Sequence, residues 1–217
     1  NPTGLSCAAV AIRAAARRKV PVLIHTFHRV EHNLPGEVAL DEVGMLARRF
    51  PTATLIAAHA GTHWRQCLDV LRRFPPNAVV DISGCIPEQG ILEALIAVLG
   101  AGRILFGSDL LGRSQASQLA KVELSGIPAA ARDAILWKNA RRIFSLKDLP
   151  AVESLAPKAR LRLPDGRADH FCFCGTWPFF RTPALTPRGL NGRLAKAGIR
   201  KAYTGDLGSI YRQDAAN

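Results

Sequence analysis

The sequence contains no long apolar run and no segment with the features of a secretion signal. No apolar stretch in its 217 residues reaches the roughly 18 residues that a membrane-crossing helix requires. The first residues alternate Ala with Arg, which a signal peptide would not do. Hydrophobic residues make up 48% and charged residues 21%, so a packed core is expected and global disorder is not. We therefore expect a soluble, cytoplasmic protein without a membrane partner.

Methionine is scarce, and the cysteines show no metal-binding pattern. The five cysteines are odd in number and show no paired metal-finger spacing, which predicts reduced thiols: Cys7, Cys67, Cys85, Cys172 and Cys174. The only methionine is Met45, and residue 1 is Asn. We therefore expect that both ends of the sequence lie inside longer reading frames.

Acidic residues are also few, so the chain carries a formal net charge of +12. Half of this excess falls in residues 151–217, which hold 11 basic and 5 acidic residues. Such a charge permits contact with nucleic acid. However, the basic residues are scattered, and the longest run has three members, residues 17–19. This pattern favours a solvated basic surface over a nucleic-acid partner.

Short apolar runs alternate with segments of helical periodicity through the first 145 residues. The runs are typical of strands buried on both faces, and they span residues 20–25, 54–59, 78–83 and 103–109. Helices are predicted at residues 8–18, 40–50, 64–74, 88–99, 115–122 and 129–144. Four strand–helix units predict an α/β fold with a parallel sheet, and their even spacing fits part of a (β/α)8 TIM barrel.

The periodicity stops after the fourth unit and resumes near residue 170. Proline and glycine punctuate residues 148–168, which we interpret as a linker between a first domain, residues 1–147, and a second segment, residues 169–217. In that segment a strand at 171–174, a helix at 186–197 and a strand at 201–204 are predicted. These elements are too few to form a domain alone.

Three residues of metal-binding type occupy equivalent positions in the repeats. His25, His59 and Asp109 each end a predicted strand, and all strand ends of a parallel barrel meet at one face. A single histidine at such a point is more often structural. Two imidazoles and a carboxylate together favour a metal or catalytic centre. The loop residues that follow are interpreted as surface or supporting positions: His28, His32 and His63.

Residues 19–145 resemble the C-terminal half of amidohydrolase-related proteins, which are metal-dependent TIM-barrel hydrolases and include non-oxidative decarboxylases. The motifs that carry the resemblance occur in the family's order: Pro21-Val-Leu-Ile-His25, Arg48-Arg-Phe-Pro51, Ile56-Ala-Ala-His-Ala-Gly61, Val80-Asp-Ile-Ser-Gly84, Arg103-Ile-Leu-Phe-Gly-Ser-Asp109 and Asn139-Ala-Arg-Arg-Ile-Phe144. The resemblance implies that His25, His59 and Asp109 bind the metal at the ends of the fifth, sixth and eighth strands. It also implies that Asp109 is catalytic and takes a proton from the attacking water.

The activity implied is hydrolysis of a small cyclic ester or amide, or decarboxylation of a small carboxylic acid. Zinc is favoured as the metal, although His₂Asp suits manganese and iron as well. Arg113 and Ser114 follow Asp109 and either bind an anionic group of the small-molecule substrate or cap the next helix. The family's His-x-His pair and its bridging Lys or Glu do not precede His25, so we expect the site to be incomplete. A non-catalytic binding protein on a degenerate barrel is the alternative.

Residues 169–217 resemble the first strand and helix of a second amidohydrolase-related copy. Phe171 and Phe173 stand where the His-x-His pair is expected, and Cys172 and Cys174 would share a strand face as substitute ligands or as small buried hydrophobes. Two truncated copies in tandem are favoured over a circularly permuted barrel. Either arrangement leaves open sheet edges, so we predict a homo-oligomer.

Overall fold

The computed structural model describes residues 2–27, 33–84, 88–110, 112–147, 167–174 and 186–206. The chain divides into two compact units, Asn1–Pro150 and Ala151–Asn217. Among the helices in these described ranges, none is long and apolar enough to cross a membrane.

The first unit contains a four-stranded parallel sheet in the order β1-β2-β3-β4. Its strands are β1 (Val22–Ile24), β2 (Leu55–Ala57), β3 (Ala78–Asp81) and β4 (Ile104–Leu105). Its helices are α1 (Pro2–Arg17), α2 (Leu40–Arg49), α3 (Trp64–Arg72), α4 (Ile91–Leu99), α5 (Gln115–Glu123), α6 (Ala129–Asp133) and α7 (Asn139–Ile143). The predicted α/β fold with parallel strands is confirmed.

The sheet is apolar on both faces, as the continuous apolar runs predict. In register, Leu23 of β1 pairs with Ile56 of β2, which pairs with Val79 of β3. Ile56, Val79 and Leu105 form one buried cluster with α7, which contributes Ala140 and Ile143. The alternate side chains join the main core with α2, α3 and α4: Val22, Ile24, Leu55, Ala57, Ala78, Val80 and Ile104. Burial on both faces is the main stabilising term for β2, β3 and β4, whereas Leu23 of the edge strand β1 is 61% exposed.

The fourth strand is shorter than the sequence predicts. Of residues 103–109, only Ile104 and Leu105 pair with β3, and a 3₁₀ turn at Ala101–Arg103 precedes them. Asp109 adopts a left-handed backbone, with φ of 51°, which an extended strand cannot contain. The strand prediction for residues 106–109 was therefore wrong, because this segment turns across the carboxyl edge of the sheet.

The helix predicted at residues 129–144 is present but contains a π-helical turn, Ala134–Lys138, between α6 and α7. The carbonyl oxygen of Ile135 accepts a hydrogen bond of 3.0 Å from the backbone N–H of Phe106. A π turn widens the helix by one residue, and here it accompanies a carbonyl that binds the segment after β4. Helical periodicity alone does not predict such a contact.

Asn139 fixes the start of α7 against the start of β4. Its buried side-chain Nδ2 donates to the carbonyl oxygens of Ala101, at 2.7 Å, and Ile104, at 2.8 Å. Arg142 donates to the carbonyl of Gly102 at 2.6 Å. These hydrogen bonds supply donors to the backbone carbonyls around the 3₁₀ turn. Carbonyl groups buried without a donor would be costly.

In the second unit a helix connects two parallel strands. The elements are β5 (Arg167–Cys174), α8 (Pro187–Lys196) and β6 (Ile199–Asp206), and β5 pairs with β6. Thr186 Oγ1 accepts a hydrogen bond from the Gly189 N–H at 3.1 Å and so caps α8. The predicted linker lies outside the described residues up to residue 166, and its last two residues already belong to β5. That this unit is the start of a second copy stays a prediction.

Replacing Asn139 with Ala is expected to lower the free energy of unfolding by about 2 kcal/mol, because two bonds to backbone carbonyls are lost at a buried position. Urea denaturation followed by tryptophan fluorescence measures this loss. Asn191→Ala, at an exposed position of α8, is the matched control and should change stability by less than about 0.5 kcal/mol. Equal effects of the two variants would contradict this role for Asn139.

The Cys67 thiol is expected to resist alkylation in the folded chain. Burial raises the pKa of this thiol to about 11, and the charge of Asp41 adds to the increase. The thiolate is the reactive form, so the folded chain holds little of it at pH 8, and the reaction rate should rise with pH towards 11. Peptide mapping after iodoacetamide treatment tests this against the half-buried Cys172. Equal labelling of both cysteines at pH 8 would contradict the prediction.

Candidate functional site

Polar residues follow each strand at the carboxyl edge of the first unit's sheet. His25 follows β1, His59 lies in a 3₁₀ turn after β2, Asp81 ends β3, and Asp109 lies shortly after β4. Parallel pairing in register brings these strand ends to one edge. The sequence therefore positions two imidazoles and two carboxylates along a single rim.

His25 and His59 are in direct contact. Their ring centroids lie 4.9 Å apart, with the ring planes at 76° to each other. The buried Thr26 holds the two strand ends together, because its Oγ1 donates to the carbonyl oxygen of Ala58 at 2.5 Å. The structure thus places the two imidazoles together at the carboxyl edge, and their binding of a metal stays a prediction.

Asp109 and His59 face the same small space beside Gly84. A Cβ atom added to Gly84 would lie 2.5 Å from His59 Nδ1 and 3.2 Å from Asp109 Oδ2. Gly84 also has a φ of +63°, which side chains other than glycine rarely adopt. Glycine at this position therefore lets the imidazole and the carboxylate approach the backbone after β3.

The backbone at this edge is strained. Four residues other than glycine have left-handed φ values: His59 at 65°, Ala60 at 46°, Thr62 at 69° and Asp109 at 51°. Each such conformation costs about 1–2 kcal/mol, and retained strain of this kind clusters at functional sites. Two of the four are residues that the sequence analysis assigned to the metal.

Asp81 and Ser83 connect the ends of β2 and β3, and neither residue belongs to the predicted site. Asp81 Oδ1 accepts hydrogen bonds from the backbone N–H of His59 at 2.9 Å, from the N–H of Ser83 at 2.9 Å and from Ser83 Oγ at 2.6 Å. His59 Nδ1 lies 2.8 Å from the Ser83 carbonyl oxygen and 3.0 Å from Ser83 Oγ. The polar pair Asp81-x-Ser83 at a strand end was the signal available in the sequence.

A second polar cluster holds the start of α3 at the same edge. Glu88 accepts hydrogen bonds from Trp64 Nε1, at 3.2 Å, and from the guanidinium of Arg65, which also stacks over the Trp64 ring at 4.3 Å. Burial lowers the pKa of Arg65. The carboxylate of Glu88 therefore helps to fix the start of α3.

The two predicted substrate-binding residues, Arg113 and Ser114, follow Asp109 and make different contacts. Arg113 is exposed, and its backbone N–H donates to the carbonyl of Asp109 at 2.9 Å. Ser114 Oγ accepts a hydrogen bond from the Ser117 N–H at 3.4 Å at the start of α5. Ser114 thus caps the helix, the second of its two predicted roles, and its contact with substrate stays a prediction.

The other histidines and the tail cysteines are placed as follows. His63 is exposed before α3, while His28 and His32 lie outside the described residues. Cys172 is half-buried, and its Sγ lies 3.7 Å from the carbonyl oxygen of Tyr203. The side chains of Phe171, Phe173 and Cys174 also lie outside the described part, so their proposed relation to a metal is untested.

The donor types at this edge fit a divalent cation, because neutral imidazoles and one carboxylate suit zinc, manganese and iron. These donors lie in two neighbouring pairs, His25 with His59 and His59 with Asp109. Within the residues that the structure describes, no group of three His, Cys, Asp or Glu side chains is close enough to hold an ion. The three predicted ligands therefore share one edge without forming a closed cage.

Replacing Gly84 with Ala is expected to lower the free energy of unfolding more than replacing Gly90 with Ala. Both residues have positive φ, +63° and +87°, but a Cβ at Gly90 would meet nothing within 4 Å. Both variants should lose about 1 kcal/mol from the backbone, and Gly84→Ala a further 1–3 kcal/mol, roughly, from overpacking against His59. Urea denaturation of both variants measures the difference. Equal losses would show that His59 does not pack against Gly84.

Comparison with known proteins agrees with this architecture. The family described as Amidohydrolase matches residues 7–146. A zinc-bound amidohydrolase from Burkholderia multivorans is 21% identical, with 64% of this chain and 57% of that chain covered and a TM-score of 0.51. A 5-carboxyvanillate decarboxylase from Sphingomonas paucimobilis is 19% identical, with coverage of 63% and 52% and a TM-score of 0.47. No curated protein matches the chain.

The chain spans about half the length of these solved structures. The predicted partial barrel is confirmed by a parallel α/β sheet and by the similarity to part of the B. multivorans amidohydrolase. Because the family match covers more than half of the sequence and includes all four strands of the first sheet, this chain belongs to the amidohydrolase family.

Proposed function

We propose that the first unit carries half of the active site of a metal-dependent hydrolase. His25, His59 and Asp109 would hold a divalent cation, with zinc favoured and manganese or iron as alternatives. The observation that carries the proposal is their common position at the carboxyl edge, with the two imidazoles in contact and Asp109 beside His59. Family membership supports it, and the B. multivorans relative binds zinc.

The substrate would be a small cyclic ester or amide that is hydrolysed, or a small carboxylic acid that is decarboxylated. A divalent cation, when bound, makes a water molecule more acidic and stabilises negative charge on a substrate oxygen. The Asp109 carboxylate is the proton acceptor for the attacking water. The exposed guanidinium of Arg113 can pair with an anionic group of the substrate as it enters from the edge of the sheet.

The remaining donors would come from outside the described part of this chain. The described donors form pairs and no closed group of three, and the chain spans about half the length of its solved relatives. We infer that a partner chain supplies these donors and, separately, that the chain forms a homo-oligomer. No observation favours the alternative of a non-catalytic binding protein.

Zinc is expected to bind the metal-free chain at about one ion per chain, as measured by isothermal titration and native mass spectrometry. His25→Ala and His59→Ala should each weaken zinc binding by at least about tenfold, because each removes one nitrogen donor. His63→Ala is the matched control, since His63 is exposed before α3, and it should leave the affinity unchanged.

Two results would overturn the proposal. One is the absence of zinc, manganese and iron binding by a folded wild-type chain. The other is equal weakening by all three alanine variants, which would mean that surface histidines bind the ion. The mass spectra also report the number of subunits, so they test the homo-oligomer in the same experiment.

A further inference from the structure

The hydrogen bonds around Ser83 determine which nitrogen of His59 carries the proton. Asp81 Oδ1 accepts three hydrogen bonds, from the N–H groups of His59 and Ser83 and from Ser83 Oγ. Asp81 is buried, with 8% of its surface exposed. An oxygen that accepts from three donors cannot itself donate to them, so the single hydroxyl hydrogen of Ser83 is directed at Asp81.

The same hydroxyl can then act only as an acceptor toward His59. Ser83 Oγ lies 3.0 Å from His59 Nδ1, and the Ser83 carbonyl oxygen, which never donates, lies 2.8 Å from the same nitrogen. Both contacts require a hydrogen on Nδ1. In a neutral imidazole this assignment leaves the ring's lone pair on Nε2, the nitrogen that would bind a metal or accept a proton.

Two further features constrain the backbone around Ser83. The buried Lys121 of α5 donates from Nζ to the carbonyl oxygen of Ile82 at 2.5 Å and to Gln118 Oε1 at 2.6 Å. On another side, a Cβ added to Gly107 would lie 2.9 Å from the Cβ of Ser83. The glycine thus permits a close approach of the segment after β4, and the lysine anchors the backbone between Asp81 and Ser83.

We propose that Asp81 and Ser83 are positioning residues that hold His59 as the Nδ1–H tautomer and so leave its lone pair on Nε2. This positioning role deepens the proposed function, and it rests on that function for what the Nε2 lone pair would bind. The tautomer itself follows from hydrogen bonds within the chain. It is therefore open to measurement without a metal or a substrate.

The test is a long-range ¹H–¹⁵N correlation spectrum of the whole metal-free chain, labelled with ¹⁵N-histidine, at pH 8. The His59 signals are assigned by their disappearance in His59→Gln. We expect the Nδ1–H pattern for His59 in the wild-type chain. A dominant Nε2–H pattern in a folded wild-type chain overturns the proposal, whatever the variants show.

Variants of Asp81 separate positioning from general support. In Asp81→Ala the hydroxyl of Ser83 is released and can donate to Nδ1, so the pattern should shift toward Nε2–H. Adding Ser83→Ala removes that donor and leaves the backbone carbonyl as acceptor, which should restore Nδ1–H. Asp81→Asn keeps an oxygen at Oδ1 and should retain the wild-type pattern. If Asp81 only stabilised the fold, Asp81→Ala would not produce a change of the His59 tautomer that adding Ser83→Ala reverses.

Circular dichroism of each variant shows whether it is folded. If Asp81→Ala fails to fold, the single variant Ser83→Ala still tests the proposal. The backbone carbonyl of residue 83 remains in this variant and should keep His59 as Nδ1–H. Loss of that tautomer in a folded Ser83→Ala chain would contradict the carbonyl contact.

Zinc titration of the same variants distinguishes the two proposals. If the wild-type chain binds zinc, Asp81→Ala should weaken binding by about 10- to 100-fold, and Asp81→Asn should weaken it less. If zinc does not bind but the tautomer pattern is as expected, the proposed function fails and the positioning role stands. If zinc binds and the wild-type tautomer is Nε2–H, only the positioning role fails.

Discussion

The buried carboxylate of Asp81 determines the geometry of the carboxyl edge. It ends β3, yet its Oδ1 binds the backbone N–H of His59, which follows β2. Two strand ends are thereby linked by a charge-assisted hydrogen bond, which is about twice as strong as a neutral one. The position of His59, and through its ring contact the position of His25, depends on this link. The edge is therefore organised around a residue outside the predicted ligand set.

The sequence predicted the architecture of the first unit because apolar periodicity reports burial directly. Runs such as residues 54–59 and 78–83 can be buried on both faces only in a covered parallel sheet, and parallel pairing brings His25, His59 and Asp109 to one edge. These inferences need the side-chain type and its position in the repeat, and both can be read from a single sequence. The common edge of the candidate ligands followed from topology alone.

The sequence did not predict features that depend on contacts between distant segments. The contact of His59 Nδ1 with the Ser83 carbonyl joins residues 24 positions apart. The π turn at Ala134–Lys138 accompanies a hydrogen bond from Phe106 to Ile135. The need for glycine at residue 84 arises from the imidazole of His59 and the carboxylate of Asp109. No local pattern encodes these distances, and the polar residues at the end of β3 were not predicted to take part in the site.

The free-energy cost of the strained His59 backbone and the stabilisation from its hydrogen bond to Asp81 are of similar size and opposite sign. A left-handed backbone at a residue other than glycine costs about 1–2 kcal/mol, and His59 has a φ of 65°. A hydrogen bond from its N–H to a carboxylate contributes about 1.5–3 kcal/mol. The carboxylate thus offsets the strain that the left-handed backbone of His59 imposes. In a chain without Asp81 this strain would no longer be offset, so the edge would be less stable, while the Ser83 carbonyl would still contact the His59 ring.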